Sequence, residues 1–384
     1  MKKILLVLLS ISSSISCSSD DKNDLISQVL VPDNYSFQRA GSNTVSFLGQ
    51  TTRLNMAVEL KGALGDPSKT ETELNAMYLS GTGFSSDELN NSGKNLSGKT
   101  ASYGGSTTAK QYFTDWISEV TDVVFPAWNS DASEGIPGLY TDEGGSGRSV
   151  RINGKGLEID QAFTKGLIGA LAADQIINGY LSSAKLDDGT NIEDNNNDVL
   201  VEDKPYTTME HFWDEGFGYL YGKEVDVTSP TPETGDVLLN YYLNSLNKNE
   251  SYTVIAKVIY DAFVYGRAAI VAKNYSVRDA QAKIIKVNLS KVIGDKAAHY
   301  LRAGVSSFEA GNKADAFHFL SEAYGFILSL QFTQKEDGNP YLSNSEVTEK
   351  LETLMAGNGF WDRTNVELIA MADEIDAATG LVTK

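Results

Sequence analysis

Along most of the chain apolar residues recur at three- and four-residue spacing, and sustained alternation is almost absent. Tyr112, Phe113, Trp116, Ile117, Val120 and Val124 mark one helix, with Thr107 and Thr108 as N-cap candidates and Pro126 as its stop. Two capping boxes stand near the C-terminus. Ser343 with Glu346 opens a helix through Val347, Leu351 and Leu354, and Thr364 with Glu367 opens the last one. Ser276 with Asp279 reads as a weaker version of the same device. Tyr260, Phe263, Val264 and Arg267 lie in a long helix-compatible stretch, followed by Ala280, Ile284 and Val287. Leu54, Met56, Val58 and Leu60 alternate like a strand, but Arg53, Ala57 and Glu59 are good helix formers, so a helix is predicted. No run supplies a sheet, and the fold class is all-α. Between helices lie long polar loops: Gly81 to Ser106, Asn129 to Gly154, and the acidic Asp187 to Asp203.

The helical pattern repeats itself once. His211-Phe-Trp-Asp-Glu-Gly-Phe-Gly-Tyr219 returns 107 positions later as His318-Phe-Leu-Ser-Glu-Ala-Tyr-Gly-Phe326, although the chain has only 3 histidines. A pseudo-duplicated helical bundle follows, with halves at 35–230 and 231–384. Each copy places a histidine and a glutamate one turn apart on one helix face: His211 with Glu215, and His318 with Glu322. Gly218 and Gly325 follow them, where a missing side chain lets a neighbouring helix come close.

Two chemistries fit that pair. Imidazole and carboxylate at this spacing can chelate a divalent metal or iron, and two facing pairs would supply four ligands. The plainer reading is a structural hydrogen bond inside an aromatic core, because duplication explains the repetition without requiring a function. Glu158, Gln161 and Lys165 share a second helix face, with Asp160 and Gln175 nearby. They line an inter-helix polar pocket or form an exposed Glu-to-Lys side, and the exposed side is the simpler expectation. Asp214, three positions behind His211 and directly before Glu215, is a further pocket candidate. The third histidine, His299, has no echo and reads as a packing or surface residue. Asp187, Asp188, Glu193, Asp194 and Asp198 lack the glycine and terminal glutamate of a calcium loop, which favours a solvated loop. His-Glu-x-x-His, Gly-x-Ser-x-Gly, P-loop and dinucleotide fingerprints do not occur.

The N-terminus changes the setting. Lys2 and Lys3, an apolar run from Ile4 to Leu9 and small residues before Cys17 form a secretory signal over 1–16 that ends in front of a cysteine. Cys17 is the single cysteine, so a disulfide is impossible within the chain, and the residue reads as a lipidated N-terminus. Residues 17–34 form a polar, acidic tether. The expected location is the outer membrane, facing the periplasm or the cell surface, with the membrane as partner through the anchor. Of 384 residues 32 are basic and 51 acidic, and loss of Lys2 and Lys3 leaves 30 against 51, a formal charge of −21. That surface repels phosphate backbones, which excludes nucleic acid as an expected partner.

These residues together resemble an uncharacterised family of bacterial lipoproteins, domain of unknown function 4856, and more remotely the imelysin-like proteins. The resemblance rests on Gly49-Gln-Thr-Thr-Arg-Leu-Asn-Met56 with Glu59, on Gly154-Lys-Gly-Leu-Glu-Ile-Asp-Gln161 with Lys165-Gly-Leu-Ile-Gly-Ala170 and Asp174-Gln175, and on the two His/Glu helices. It implies an all-helical, imelysin-like envelope protein, with relatives associated with iron uptake and an envelope uptake partner, and some once described as metallopeptidases. Imelysin-like proteins carry His-x-x-Glu; here Asp214 stands at that spacing behind His211, and Ser321 behind His318. The leading expectation is therefore a non-enzymatic ligand-binding lipoprotein related to iron or another metal. The alternatives are a metal-dependent peptidase, or a lipoprotein that captures glycans or peptides on aromatics such as Trp128 and Trp361.

Overall fold

The computed structural model describes residues 29–105, 108–142, 146–228, 238–381 and 383. The signal over 1–16, the anchor Cys17, the tether up to residue 28 and the cap candidate Thr107 lie outside these residues, as does the boundary between the expected halves.

Among the described residues there are fourteen α-helices: α1 (Leu48–Leu64), α2 (Glu71–Asn75), α3 (Asp87–Asn90), α4 (Ala109–Glu119), α5 (Ile159–Leu167), α6 (Ser183–Leu186), α7 (Asn191–Asn196), α8 (Thr208–Tyr221), α9 (Leu239–Asn247), α10 (Ile255–Val271), α11 (Tyr275–Glu309), α12 (Lys313–Ser329), α13 (Asn344–Leu354) and α14 (Asn365–Thr379). Strands amount to two antiparallel pairs, β1 (Gln38–Arg39) with β2 (Ser42–Asn43) and β3 (Gly138–Thr141) with β4 (Ser149–Ile152). The all-α expectation holds. None of the helices is long and apolar enough to cross a membrane.

Local chemistry explains most boundaries. The boxes at Ser343/Glu346 and Thr364/Glu367 form as expected, and two more appear at Thr70/Glu73 and Thr207/Glu210. The device read at Ser276 and Asp279 is corrected. Asn274 caps α11 by accepting from the Val277 N–H, one turn's start earlier, and Asp279 instead pairs with Arg278. Leu54 to Leu60 is helical within α1, because burial of Leu54, Met56, Ala57 and Leu60 covers more than one side of a helix that packs on two neighbours. The helix ending before Pro126 is α4 with a π-helical last turn, Val120–Val124.

α5 continues without a break into a π-helical segment, Ile168–Tyr180, whose residues are almost all buried. α11 runs beside α10, α12 and α14, and α12 lies between α11 and α5. α8 packs instead on α1, α10 and the Ile168–Tyr180 segment. The apolar core is one cluster running from Tyr35 to Ile375. Several of the residues behind the family resemblance tie loops to this core. Asp174 accepts from the backbone N–H groups of Ser102, Tyr103 and Gly104 at 2.8, 3.0 and 2.6 Å, and Gln175 donates to the Lys99 carbonyl. Arg53 holds the Asn95 carbonyl at 3.0 Å. The polar loop from Gly81 is thus fastened at several points, which satisfies backbone groups that water would otherwise have to reach.

Candidate functional site

The duplicated helices occupy corresponding places against different partners. A Cβ on Gly218 of α8 would lie 2.4 Å from Phe47 Cβ and 3.1 Å from Gln50 Cβ at the start of α1. A Cβ on Gly325 of α12 would lie 2.5 Å from the Ala162 carbonyl oxygen and 2.6 Å from Lys165 Cβ on α5. Each glycine therefore admits an earlier helix, and one of the residues brought close reaches the glutamate three positions upstream. Gln50 Nε2 donates to Glu215 Oε1 at 2.8 Å, and Lys165 Nζ stands 2.9 Å from Glu322 Oε1. Geometry is shared, whereas charge is not: a neutral amide answers one glutamate and an ammonium the other.

Around Glu322 the polar side chains accumulate. His318 Nδ1 is 2.7 Å from Glu158 Oε2, and its Nε2 is 3.9 Å from Glu322 Oε1. Lys165 Nζ also donates to Gln161 Oε1 at 3.1 Å, and Gln161 Nε2 donates to Asp160 Oδ2 at 2.8 Å. Gln161 and Lys165 are buried, at 8% and 3% exposure, so the exposed Glu-to-Lys expectation is corrected. The reason is α12, which covers that face of α5 because Gly325 lets it approach. Burial resists ionisation of Glu322, but Lys165 and His318 outweigh it and hold the carboxyl below its ordinary range. Burial, reinforced by the Glu322 charge, pushes the Tyr242 and Tyr300 hydroxyls up beside it.

Asp160 behaves differently. Its side chain forms no ion pair among the described residues, and the Gln161 amide is its hydrogen-bond partner. Burial, then the adjacent Glu158 carboxylate, raise it to about 7 against the pull of Lys61, Lys165 and His318. Lys61, half-buried on α1, is lowered by burial and by Lys165. Glu158 and Asp160 face a cavity of about 200 Å³ whose other walls are Leu64 and Gly65 from the end of α1, Val120 and Val124, Trp128, and Ser149 and Arg151 of β4. The Arg151 guanidinium lies 4.2 Å over the Trp128 ring, and its Nε donates to the Trp128 carbonyl at 3.3 Å.

The remaining candidates are scattered. His211 stacks on Tyr206 with ring centres 4.7 Å apart, and its Nδ1 is buried without a hydrogen-bond partner. Asp214 is fully buried away from any cavity described above. It receives Tyr35 OH at 2.7 Å, the Ser46 N–H at 3.2 Å and Arg267 Nε at 3.0 Å. Arg267 reaches Glu210 as well, at 2.9 Å, and Arg39 takes Glu210 from the other side. This second buried centre fastens the β1–β2 segment to α8 and α10, a structural task the sequence did not reveal. Thus His211, Glu215 and Asp214 lie apart from the group formed by Glu158, Gln161, Lys165, His318 and Glu322. His318 offers its two ring nitrogens to two different carboxylates, an arrangement that bridges them and does not converge on a point. Among the described residues no three His, Cys, Asp or Glu side chains are gathered so as to hold a metal ion.

Two acids of the acidic loop are engaged in ion pairs: Asp187 with Arg278 and Asp198 with Lys273, both at 2.7 Å. A larger cavity between α13 and α14, about 540 Å³, has three of its four acids engaged, since Glu346 and Glu367 close capping boxes and Glu374 pairs with Lys350. His299 lines a third cavity with Arg302 and Phe319. Trp361 packs on Phe317 and Tyr140, with ring centres 4.6 and 5.5 Å away, which leaves Trp128 as the one of the two proposed stacking residues that borders the candidate site.

Lys61, Asp160, Tyr242 and Tyr300 were missed or undervalued because they come from four different helices, α1, α5, α9 and α11, and no spacing rule links them. No curated protein and no solved structure matches this chain. The model of one family, a domain of unknown function (DUF4856), matches residues 32–382, and the chain belongs to that family.

Proposed function

We propose that this protein is a non-enzymatic outer-membrane lipoprotein that holds a small polar ligand in the cavity between the end of α1, the turn after α4, β4 and the start of α5. One observation carries the reading: Glu158 and Asp160 stand together on the cavity wall, and Asp160 has no cationic partner within ion-pairing distance among the described residues. Like charges held together at a partly buried site cost stability unless something else answers them, and such groups gather at binding sites. Behind them, Lys165, His318 and Glu322 form a rigid, paired support that fixes where the carboxylates point. The N-terminal signal and Cys17 support the envelope location, and the acidic surface agrees with a partner that is not nucleic acid.

A chelated metal is less well served, since the His/Glu pairs do not assemble a converging donor set. A metal-dependent peptidase inherits the same difficulty.

The test is a thermal-shift screen of the full-length protein, in mild detergent, against a panel of small amines, amino acids, carboxylates, sugars and divalent metals. A ligand of the folded state raises the melting temperature in proportion to its concentration over Kd. Some member is expected to do so, and to lose its effect in Glu158→Gln and Asp160→Asn. If the whole panel leaves the melting temperature unmoved, or the responses survive both substitutions, the site reading is wrong. Labelling with a radioactive fatty acid, with Cys17→Ala as control, tests the anchor separately.

A further inference from the structure

The cavity walls are chemically unequal, and the inequality specifies a ligand. Glu158 and Asp160 supply its acidic lining. Arg151, also on the wall, forms no ion pair among the described residues; its guanidinium carbon lies 4.2 Å from the centre of the Trp128 ring, with Nε donating to the Trp128 carbonyl. That contact spends one N–H and leaves the outer edge of the fork, the part that takes a carboxylate with two parallel hydrogen bonds. The apolar part of the lining is Leu64, Val120, Val124, Ile159 and the Trp128 ring. The volume, about 200 Å³, is below the roughly 300–1,000 Å³ of drug-sized sites.

Resting on the ligand-binding reading above, we infer that the cavity binds a free α-amino acid with a branched or aromatic apolar side chain. The ammonium group goes to Glu158 and Asp160, the carboxylate to Arg151, and the side chain to Leu64, Val120, Val124 and Trp128. No bond is made or broken. The carboxylate meets Arg151 and the ammonium meets Asp160, neither of which has an ion pair among the described residues, with Glu158 beside them already answered by His318, so neither end of the ligand is buried unpaired, the condition under which buried charges are tolerated. A simple amine satisfies Asp160 and leaves Arg151 facing the apolar body, while a simple acid leaves Asp160 without a cation.

Titration calorimetry of the full-length protein with three probes separates these cases: L-leucine, isoamylamine, which lacks the carboxylate, and 4-methylpentanoate, which lacks the ammonium. Leucine is expected to bind at least about tenfold more tightly than either relative, a gap of about 1.4 kcal/mol. Arg151→Gln is expected to bring leucine down to the level of isoamylamine without altering isoamylamine itself, and Glu158→Gln to weaken both. Arg151 lies at the cavity edge and is not needed by the Lys165–Glu322 support, so circular dichroism of this variant should match the parent. Isoamylamine binding as tightly as leucine would overturn the amino-acid assignment and leave the ligand site standing. Heat from none of the three would overturn it too, with the broader panel then deciding the site. Leucine binding that is indifferent to Arg151→Gln would also refute it.

Discussion

Lys165 and Glu322 meet at 2.9 Å with both side chains almost sealed from solvent, at 3% and 8% exposure. A buried pair of this kind is worth little as a whole and much as a half: its formation is balanced by desolvation, but loss of one partner strands the other charge. Lys165→Met should therefore destabilise the protein by about 3–5 kcal/mol, whereas Lys165→Met with Glu322→Leu should be near neutral or stabilising. Urea unfolding of the two variants checks it, and equal losses in both would show that the pair contributes more than it costs to bury.

The glycine after each glutamate gives a second expectation. At Gly325 an added Cβ meets backbone at 2.5 Å, the Ala162 carbonyl oxygen, together with Lys165 Cβ. At Gly218 its nearest contacts are the Cβ and ring of Phe47, a side chain at the helix start that is only partly buried. Backbone inside a packed helix yields less readily than a side chain near a helix end. Gly325→Ala should accordingly cost more than Gly218→Ala, within the roughly 1–3 kcal/mol usual for overpacking. Because Lys165 moves with the strain, Gly325→Ala should also weaken ligand binding, which Gly218→Ala should leave intact. Paired denaturation and thermal-shift curves read both effects.

The repeated histidines should part company on substitution. His211→Phe retains a flat ring against Tyr206 and removes a buried nitrogen that has no partner, so stability should hold or rise. His318→Phe deprives Glu158 of its 2.7 Å contact and places an apolar ring beside Glu322, and a loss of about 1–3 kcal/mol is expected. Opposite signs for one and the same replacement at repeat-related positions would show that only the second copy has kept a polar role. Losses of equal size would argue that both imidazoles are still in use.

Why the sequence revealed the helices but only half of the site follows from these contrasts. Helix type and most ends depend on residues within a turn of each other, which is why the boxes at Ser343 and Thr364 and the 107-residue echo could be read directly. Burial of Lys165 depends on α12, whose Glu322 stands 157 positions away, and a Glu-to-Lys spacing is the same on an exposed face as on a covered one. The echo likewise fixed which residues correspond but not what they meet. Gln50 opposite Glu215 and Lys165 opposite Glu322 make one copy a neutral link and the other a charged centre, and that difference is carried by α1 and α5, outside the repeated segment. Arg267 looked like one more position on a helical stripe because its partners Glu210 and Asp214 sit on a helix more than fifty residues earlier.

Asp160 supplies the pH dependence. In the folded protein it keeps its proton up to about 7, while an unfolded aspartate releases its own near 3.8. Between those values the unfolded state binds fewer protons than the folded one, so this residue makes stability fall as pH rises, with the full penalty present above about pH 7. Asp160→Asn removes the penalty without changing size. Its melting temperature relative to the parent should therefore climb from about pH 4 to about pH 8, a trend that scanning calorimetry follows directly. Ligand binding should run the other way. An ammonium group bound at Glu158 and Asp160 takes the place of the proton, so the parent should bind leucine or isoamylamine more tightly as pH passes upward through 7, and Asp160→Asn should flatten that rise. Lys61, Lys165 and His318 each favour the ionised form of Asp160, but burial and the Glu158 charge outweigh them, so the sign stands. A parent protein whose affinity falls over this interval would place the ammonium somewhere other than between these two acids.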